Sequence, residues 1–275
     1  MGLIGLMQQE YQRDLWGALE KIAAIGYKGI EAGPMELLKG DAASNLKRFH
    51  GLGLKVLTVS ASREGLRDGL DKIIAQAKAL QAPRATVWWG PCDSKDQILK
   101  DAELYNSAGA RLKAEGITLG YHNHDHEFRA AFDGVYALDL LAVHTDPRNV
   151  SFELDAAWIT FGGEDPVRVL KRMAGRVPAI HVKDLSRLDQ RDHFTTVGTG
   201  VVRVKEAVQA AIETGVEWAV VEQDRLRNLR PGDDYRRVSP PERSRPRELR
   251  AGAMLRASFL RAVDGAADGF IIGCL

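Results

Sequence analysis

Apolar residues recur along this chain in two registers. Leu15, Leu19, Ile22 and Ala23 fall three or four positions apart, and Val204, Ala207, Val208, Ala211 and Ile212 repeat that spacing much later. Such spacing puts one apolar stripe along a helix. The second register is a short, nearly continuous apolar run that follows a glycine, as in AIGYKGIEAG, GLGLKVLTVS, AEGITLGYHN, AGRVPAIHVKD and ETGVEWAVVEQD. Glycine adopts the left-handed conformation cheaply, so each of these glycines reads as a helix stop ahead of a strand. The pattern predicts strands near 2–6, 28–32, 54–60, 84–89, 117–122, 150–155, 178–182 and 217–222, with helices between them. Strands apolar on both faces, alternating with helices, predict a parallel sheet under a helical coat. Its simplest form is a single closed (β/α)8 barrel spanning 1–275. An open, doubly wound sheet is the alternative, and the lack of a GxGxxG after an early strand weighs against it.

Barrels of this kind carry their chemistry at the C-terminal ends of the strands. The residues expected there are Glu31, Ser60, Trp89, His122, Asp155, His181 and Glu222. His122 stands six residues past Gly116, His181 six past Gly175 and Glu222 seven past Gly215, so equivalent places in three units carry imidazole or carboxylate. Those groups bind divalent metals. Each has a plainer role available: Asp155 as a helix cap, His181 as a buried imidazole, Glu222 as the ion-pair partner of Lys183. His122, His124 and His126 alternate in GYHNHDHEF, and residues two apart share a face wherever the strand continues. Glu153 precedes Asp155 by two, on the same face but deeper, a place from which to order a metal ligand. Trp88, Trp89 and Trp158 are expected to offer an apolar wall to a substrate or to be core aromatics. In VGTG, Gly198 and Gly200 form either a turn whose N–H groups face a substrate oxygen or a plain tight turn.

Composition narrows the partners. Lys and Arg number 38 against 37 Asp and Glu, a balance that gives no field to attract nucleic acid or a membrane surface. The two cysteines, Cys92 and Cys274, make no disulfide framework or thiolate metal site, which suits a cytoplasmic protein. No apolar run is long enough to span a bilayer. The expected partner is a small sugar, with a homo-oligomer possible. The stretch 225–250 is arginine-rich with little to bury, and reads as a polar insertion after the eighth strand. Residues 251–275 then read as a closing helix, Ala251 to Val263, and an apolar tail.

The segments GYHNHDHEF, FELDAAWITFGGEDPVRVLKRMAGRVPAIHVKD, VGTG and VVEQD, in this order, resemble the sugar phosphate isomerase/epimerase family with its xylose-isomerase-like TIM barrel. The resemblance runs from about Gly26 to Asp224. It implies one divalent ion (manganese, magnesium, cobalt or zinc) on Asp155, His181, Glu222 and a group from strand five. Many relatives carry Glu where His122 stands, and His where Trp158 stands; an indole binds no metal, but its face stacks on a sugar. The activity implied first is isomerisation or epimerisation of a sugar or keto-sugar, phosphorylated or not, through a metal-stabilised enediolate. In that scheme Glu222 carries the proton on one face, His124 or Lys183 serves the other, and Trp158, Trp89, Glu31, His126, Gly198 and Gly200 contact the substrate. The alternative is a lyase, hydrolase or dehydratase acting on keto-sugar glycosides or inosose-type ketones at the same site. A DNA-repair endonuclease lacks the histidines it needs, and a degenerate, sugar-binding barrel is the non-enzymatic reading.

Overall fold

A computed structural model describes residues 8–222 and the strand Ile271–Cys274. The stretches predicted as a strand at 2–6, a polar insertion at 225–250 and a helix at Ala251 to Val263 lie outside the described residues.

The sheet runs in the order Lys55–Val56, Gly29–Ile30, Ile271–Cys274, Trp218–Val221, Ala179–Val182, Val150–Asp155, Thr118–His122, Arg84–Val87, Val59–Ala61. Every neighbouring pair is parallel. The first and last pieces belong to one stave interrupted only at Leu57 and Thr58, so the sheet closes on itself as a barrel of the predicted class. One wall position was not foreseen. Between Gly29–Ile30 and Trp218–Val221 stands Ile271–Cys274, pairing Gly29 with Gly273 and Trp218 with Ile271. The apolar tail therefore supplies a stave of the wall.

Strand parity divides the interior into two compartments. Ile180, Val182, Ala219 and Val221 join the large core between sheet and helices, while Ala179, Trp218 and Val220 join Leu57 in a separate small cluster. Successive side chains of a strand point to opposite faces, so the small cluster belongs to the lumen. Gly29 makes room for it: a Cβ there would sit 2.5 Å from Leu57 Cδ2 and 3.0 Å from Trp218 Cζ3. Apolar packing plugs the N-terminal end of the lumen, and the polar residues lie further along the same strands.

Helix ends follow the local chemistry. Asp14 accepts the Gly17 N–H at 2.9 Å to open Leu15–Ile25, and Gly26 closes that helix in the left-handed conformation. Ser94 opens Lys95–Ala114 in the same way. Among the described residues no helix is long and apolar enough to cross a membrane.

Candidate active site

Asp155 ends the strand Val150–Asp155 and caps the helix Ala156–Phe161, its Oδ1 accepting the N–H groups of Ala157 at 2.9 Å and Trp158 at 3.0 Å. Cap and site are the same residue, because a carboxylate with one oxygen bound to the helix turns the other toward the lumen. That Oδ2 lies 3.1 Å from Lys183 Nζ. The Asp155 backbone is itself held, its N–H donating to Asn123 Oδ1 at 3.0 Å, and Asn123 Nδ2 donates to the His124 carbonyl at 3.1 Å. Glu127 fixes the same loop from below, accepting the Tyr121 hydroxyl at 2.8 Å and the His124 N–H at 2.9 Å.

The four residues expected around one ion converge. His122 and His181 have ring centroids 4.4 Å apart. His122 Nε2 lies 3.9 Å and His181 Nδ1 3.8 Å from Asp155 Oδ2. Glu222 Oε2 is 2.8 Å from His181 Nδ1 and also pairs with Lys183 Nζ. The plainer roles of Asp155 and Glu222 therefore hold alongside the site. Below this layer the other nitrogens meet a second pair of carboxyls. His181 Nε2 stands 2.6 Å from Glu153 Oε1 and 2.7 Å from Glu31 Oε2, and His122 Nδ1 stands 3.5 Å from Glu153 Oε1. Glu31, Glu153, Asp155, His122, His181, Lys183 and Glu222 are all buried.

So many charges in one dry space shift each other. Burial alone would lower the His181 imidazole, but Glu31, Glu153 and Glu222 push it well above its ordinary value. Burial would raise Glu222, yet Lys183 and His181 hold it below the usual carboxylate range. Glu153 is held well below that range by His181 and His122, against its burial. Glu31 goes the other way, raised to about 8 by burial and by Glu153.

The donor chemistry fits a divalent cation. His122, Asp155 and His181 each offer a ligand atom within 4.8 Å of the others, as do Glu31, Glu153 and His181. Glu31 Oε1 and Glu153 Oε2 are buried without a hydrogen-bond donor among the described residues, and a buried oxygen left in that state is costly. Imidazole with carboxylate is a set that takes zinc, manganese or cobalt.

The remaining expected residues divide. Trp158 is buried beneath the Arg191 guanidinium, 4.6 Å from the ring centroid, with its Nε1–H unpaired among the described residues and its ring 5.6 Å from Lys183 Nζ. His124 lies 5.1 Å from His122 and 5.6 Å from Trp158. Burial, then His122 and Lys183, lowers it to about 2, so its advantage as a base titrating near neutrality is lost. His126 turns aside, its Nε2 2.8 Å from the Gly90 carbonyl. Trp89 is corrected: it is 57% exposed, while Trp88 lies 5.5 Å from His122 and 6.1 Å from His181. Arg84–Val87 ends earlier than predicted, and Trp88, in phase with Thr86, takes the inward place. Gly198 and Gly200 are corrected too. Their N–H groups donate to Asp184 Oδ2 at 2.9 and 2.8 Å, and Leu185 and Val202 donate to Oδ1 at 2.9 and 3.1 Å. The turn is bound to Asp184 and offers those donors to nothing else; Lys183 pairs across the lumen. Nothing in local spacing announces Asp184 or Arg191, whose partners come from other loops.

A family model described as xylose isomerase-like TIM barrel matches residues 19–251. Inosose dehydratase from Lacticaseibacillus casei is 26% identical over 192 residues, which are 64% of this chain and 59% of that protein. This chain thus spans about three fifths of that relative's length. Among solved structures, a sugar phosphate isomerase/epimerase from Parabacteroides distasonis superposes with a TM-score of 0.68 at 23% identity, covering 84% of this chain and 93% of that one. The IOLI protein with a bound zinc atom gives 0.67 at 16% identity, covering 91% and 93%. These structural likenesses are likenesses of fold. They do not support the expectation that isomerisation or epimerisation comes ahead of elimination, and the relatives by sequence overturn it, since those from L. casei, Bacillus anthracis and Klebsiella pneumoniae are all inosose dehydratases.

Proposed function

The chain belongs to the xylose isomerase-like TIM barrel family, and from that premise we propose that it is a metal-dependent dehydratase of a cyclic polyhydroxy ketone of the inosose kind. Such a reaction removes a proton from the carbon beside the ketone and expels the hydroxyl of the next carbon. The C–H electron pair becomes a C=C bond, and the hydroxyl takes a proton and leaves as water. The chemistry needs a base and an acid a short distance apart.

The observation that carries the reading is the Lys183–Glu222 ion pair beside the His122, Asp155 and His181 donor set. Glu222 takes the proton, since its carboxylate is kept ionised by Lys183 and His181. Lys183 gives a proton to the departing hydroxyl, and Asp155 keeps its ammonium in place at 3.1 Å. Trp158 and Trp88 supply apolar faces for the ring's C–H surface. His124, held neutral, flanks the opposite side. A divalent cation held by His122, Asp155, His181 and Glu222 supplies, when bound, Lewis-acid polarisation of the ketone, worth several kcal/mol.

The test is to incubate the metal-loaded protein with an inosose and follow the product by mass and by ultraviolet absorbance. Loss of one water with growth of a conjugated chromophore is expected, and Glu222→Gln should slow it about 10²–10⁴-fold. Recovery of the unchanged ketone, or of an epimer that has lost no water, overturns the proposal.

A further inference from the structure

The lower layer of carboxyls is not used by the chemistry above, although it is as fully buried as the layer that is. Each imidazole has two nitrogens, and here they are divided between the layers. His122 Nε2 and His181 Nδ1 point to Asp155 and Glu222, whereas His122 Nδ1 and His181 Nε2 point to Glu153. A nitrogen that donates electrons to a cation cannot carry a proton, so the proton of each neutral ring must sit on the other nitrogen and needs an acceptor there. One oxygen, Glu153 Oε1, lies within ion-pair distance of both of those other nitrogens, 3.5 Å from His122 and 2.6 Å from His181, while the hydrogen bond at His181 Nε2 is made with Glu31 Oε2.

We infer that Glu153 is a positioning residue for the metal: one carboxylate that fixes the tautomer and ring orientation of both imidazole ligands from beneath. The inference rests on the proposed metal site and adds to it a residue that does not bind the ion. Glu31 completes the arrangement. Its Oε2 makes the hydrogen bond to His181 Nε2 at 2.7 Å. Without Glu153 the His122 ring is free to turn or to carry its proton on the upper nitrogen, His181 keeps Glu31 alone beneath it, and the upper layer loses part of its preformed geometry. Two packing features keep Glu153 from moving away. Its strand is buried at every residue from Val150 to Asp155, and its neighbour Glu31 is enclosed on the facing wall.

The experiment uses the full chain stripped with a chelator and then titrated with zinc or cobalt against a competing chelator. Wild type is expected to bind one ion, and Glu153→Gln to bind it about 10–100-fold more weakly. The cobalt absorption spectrum of the variant should keep the wild-type shape, because no ligand has changed. A second measurement does not depend on the variant folding. In zinc-loaded wild type labelled with ¹⁵N-histidine, the His122 proton should lie on Nδ1 and the His181 proton on Nε2. Equal affinity in the variant, the opposite tautomers, or a cobalt spectrum of altered shape overturns the inference, as do two ions per wild-type chain, which would make the lower layer a metal site itself. Wild type that binds no metal overturns the metal reading of the function as well, whereas wild-type binding unaffected by Glu153→Gln overturns only this inference.

Discussion

Replacing Asp184 with Asn tests how the loop beyond Lys183 is held. The carboxyl accepts four backbone N–H groups, from Leu185, Gly198, Gly200 and Val202, between 2.8 and 3.1 Å. Burial nonetheless pushes Asp184 above its ordinary value, with the four donors only partly offsetting it. Its negative charge is therefore not the stabilising quantity; its capacity to accept is. Asn keeps one accepting oxygen and replaces the other with a donor. The favourable amide orientation keeps the buried pair from Leu185 and Val202, leaving the half-buried Gly198 and Gly200 N–H groups facing an NH₂. At about 1–1.5 kcal/mol for each donor stranded near water, the cost is about 2–3 kcal/mol. Asp184→Ala strands all four donors and should cost about twice as much. Urea unfolding at neutral pH measures both, and limited proteolysis between Ser186 and Val201 should nick the Asn variant first. An Asn variant within about 0.5 kcal/mol of wild type would refute the reasoning, since the turn would then be held by something other than this carboxyl.

Other consequences are open to direct measurement. Gly200→Ala should destabilise the same loop by at least as much as Asp184→Asn, because a Cβ there would lie 2.2 Å from the Leu185 carbonyl oxygen and 2.4 Å from Asp184 Oδ1; normal unfolding behaviour would count against that crowding. Asp155→Ala should remove both a helix cap, costing about 0.5–2 kcal/mol, and tight metal binding, two effects that calorimetry with and without zinc separates. Retention of both would detach Asp155 from the site. Burial, with Glu127 and Asp101 adding to it, pushes the Cys92 thiol up to about 12, so native protein at pH 8 should resist iodoacetamide there until urea is added. Peptide mapping that found Cys92 alkylated as fast in native as in unfolded protein would contradict it. Trp158→Phe should weaken substrate binding more than Trp89→Phe, in keeping with their burial and exposure; equal effects would reverse that assignment.

Much of this was written into the sequence. A glycine before an apolar run stops a helix wherever it occurs, and the strands it announced near Ala179, Thr118 and Trp218 stand within a residue of their expected starts. Strand-end placement was equally local, and it brought His122, Asp155, His181 and Glu222 to one end of the lumen. The tertiary structure decided what periodicity cannot record, namely which distant residues share a space. His181 and Glu31 touch across 150 positions of chain. Gly198 and Gly200 were claimed by Asp184, and Trp88 took the inward place expected of Trp89 because it is the one in phase with Thr86. The tail strand Ile271–Cys274 entered the wall through hydrogen bonds to strands on either side. Local spacing follows from the geometry of one element, whereas charge pairing, desolvation and wall closure depend on distances between elements that only the folded barrel sets.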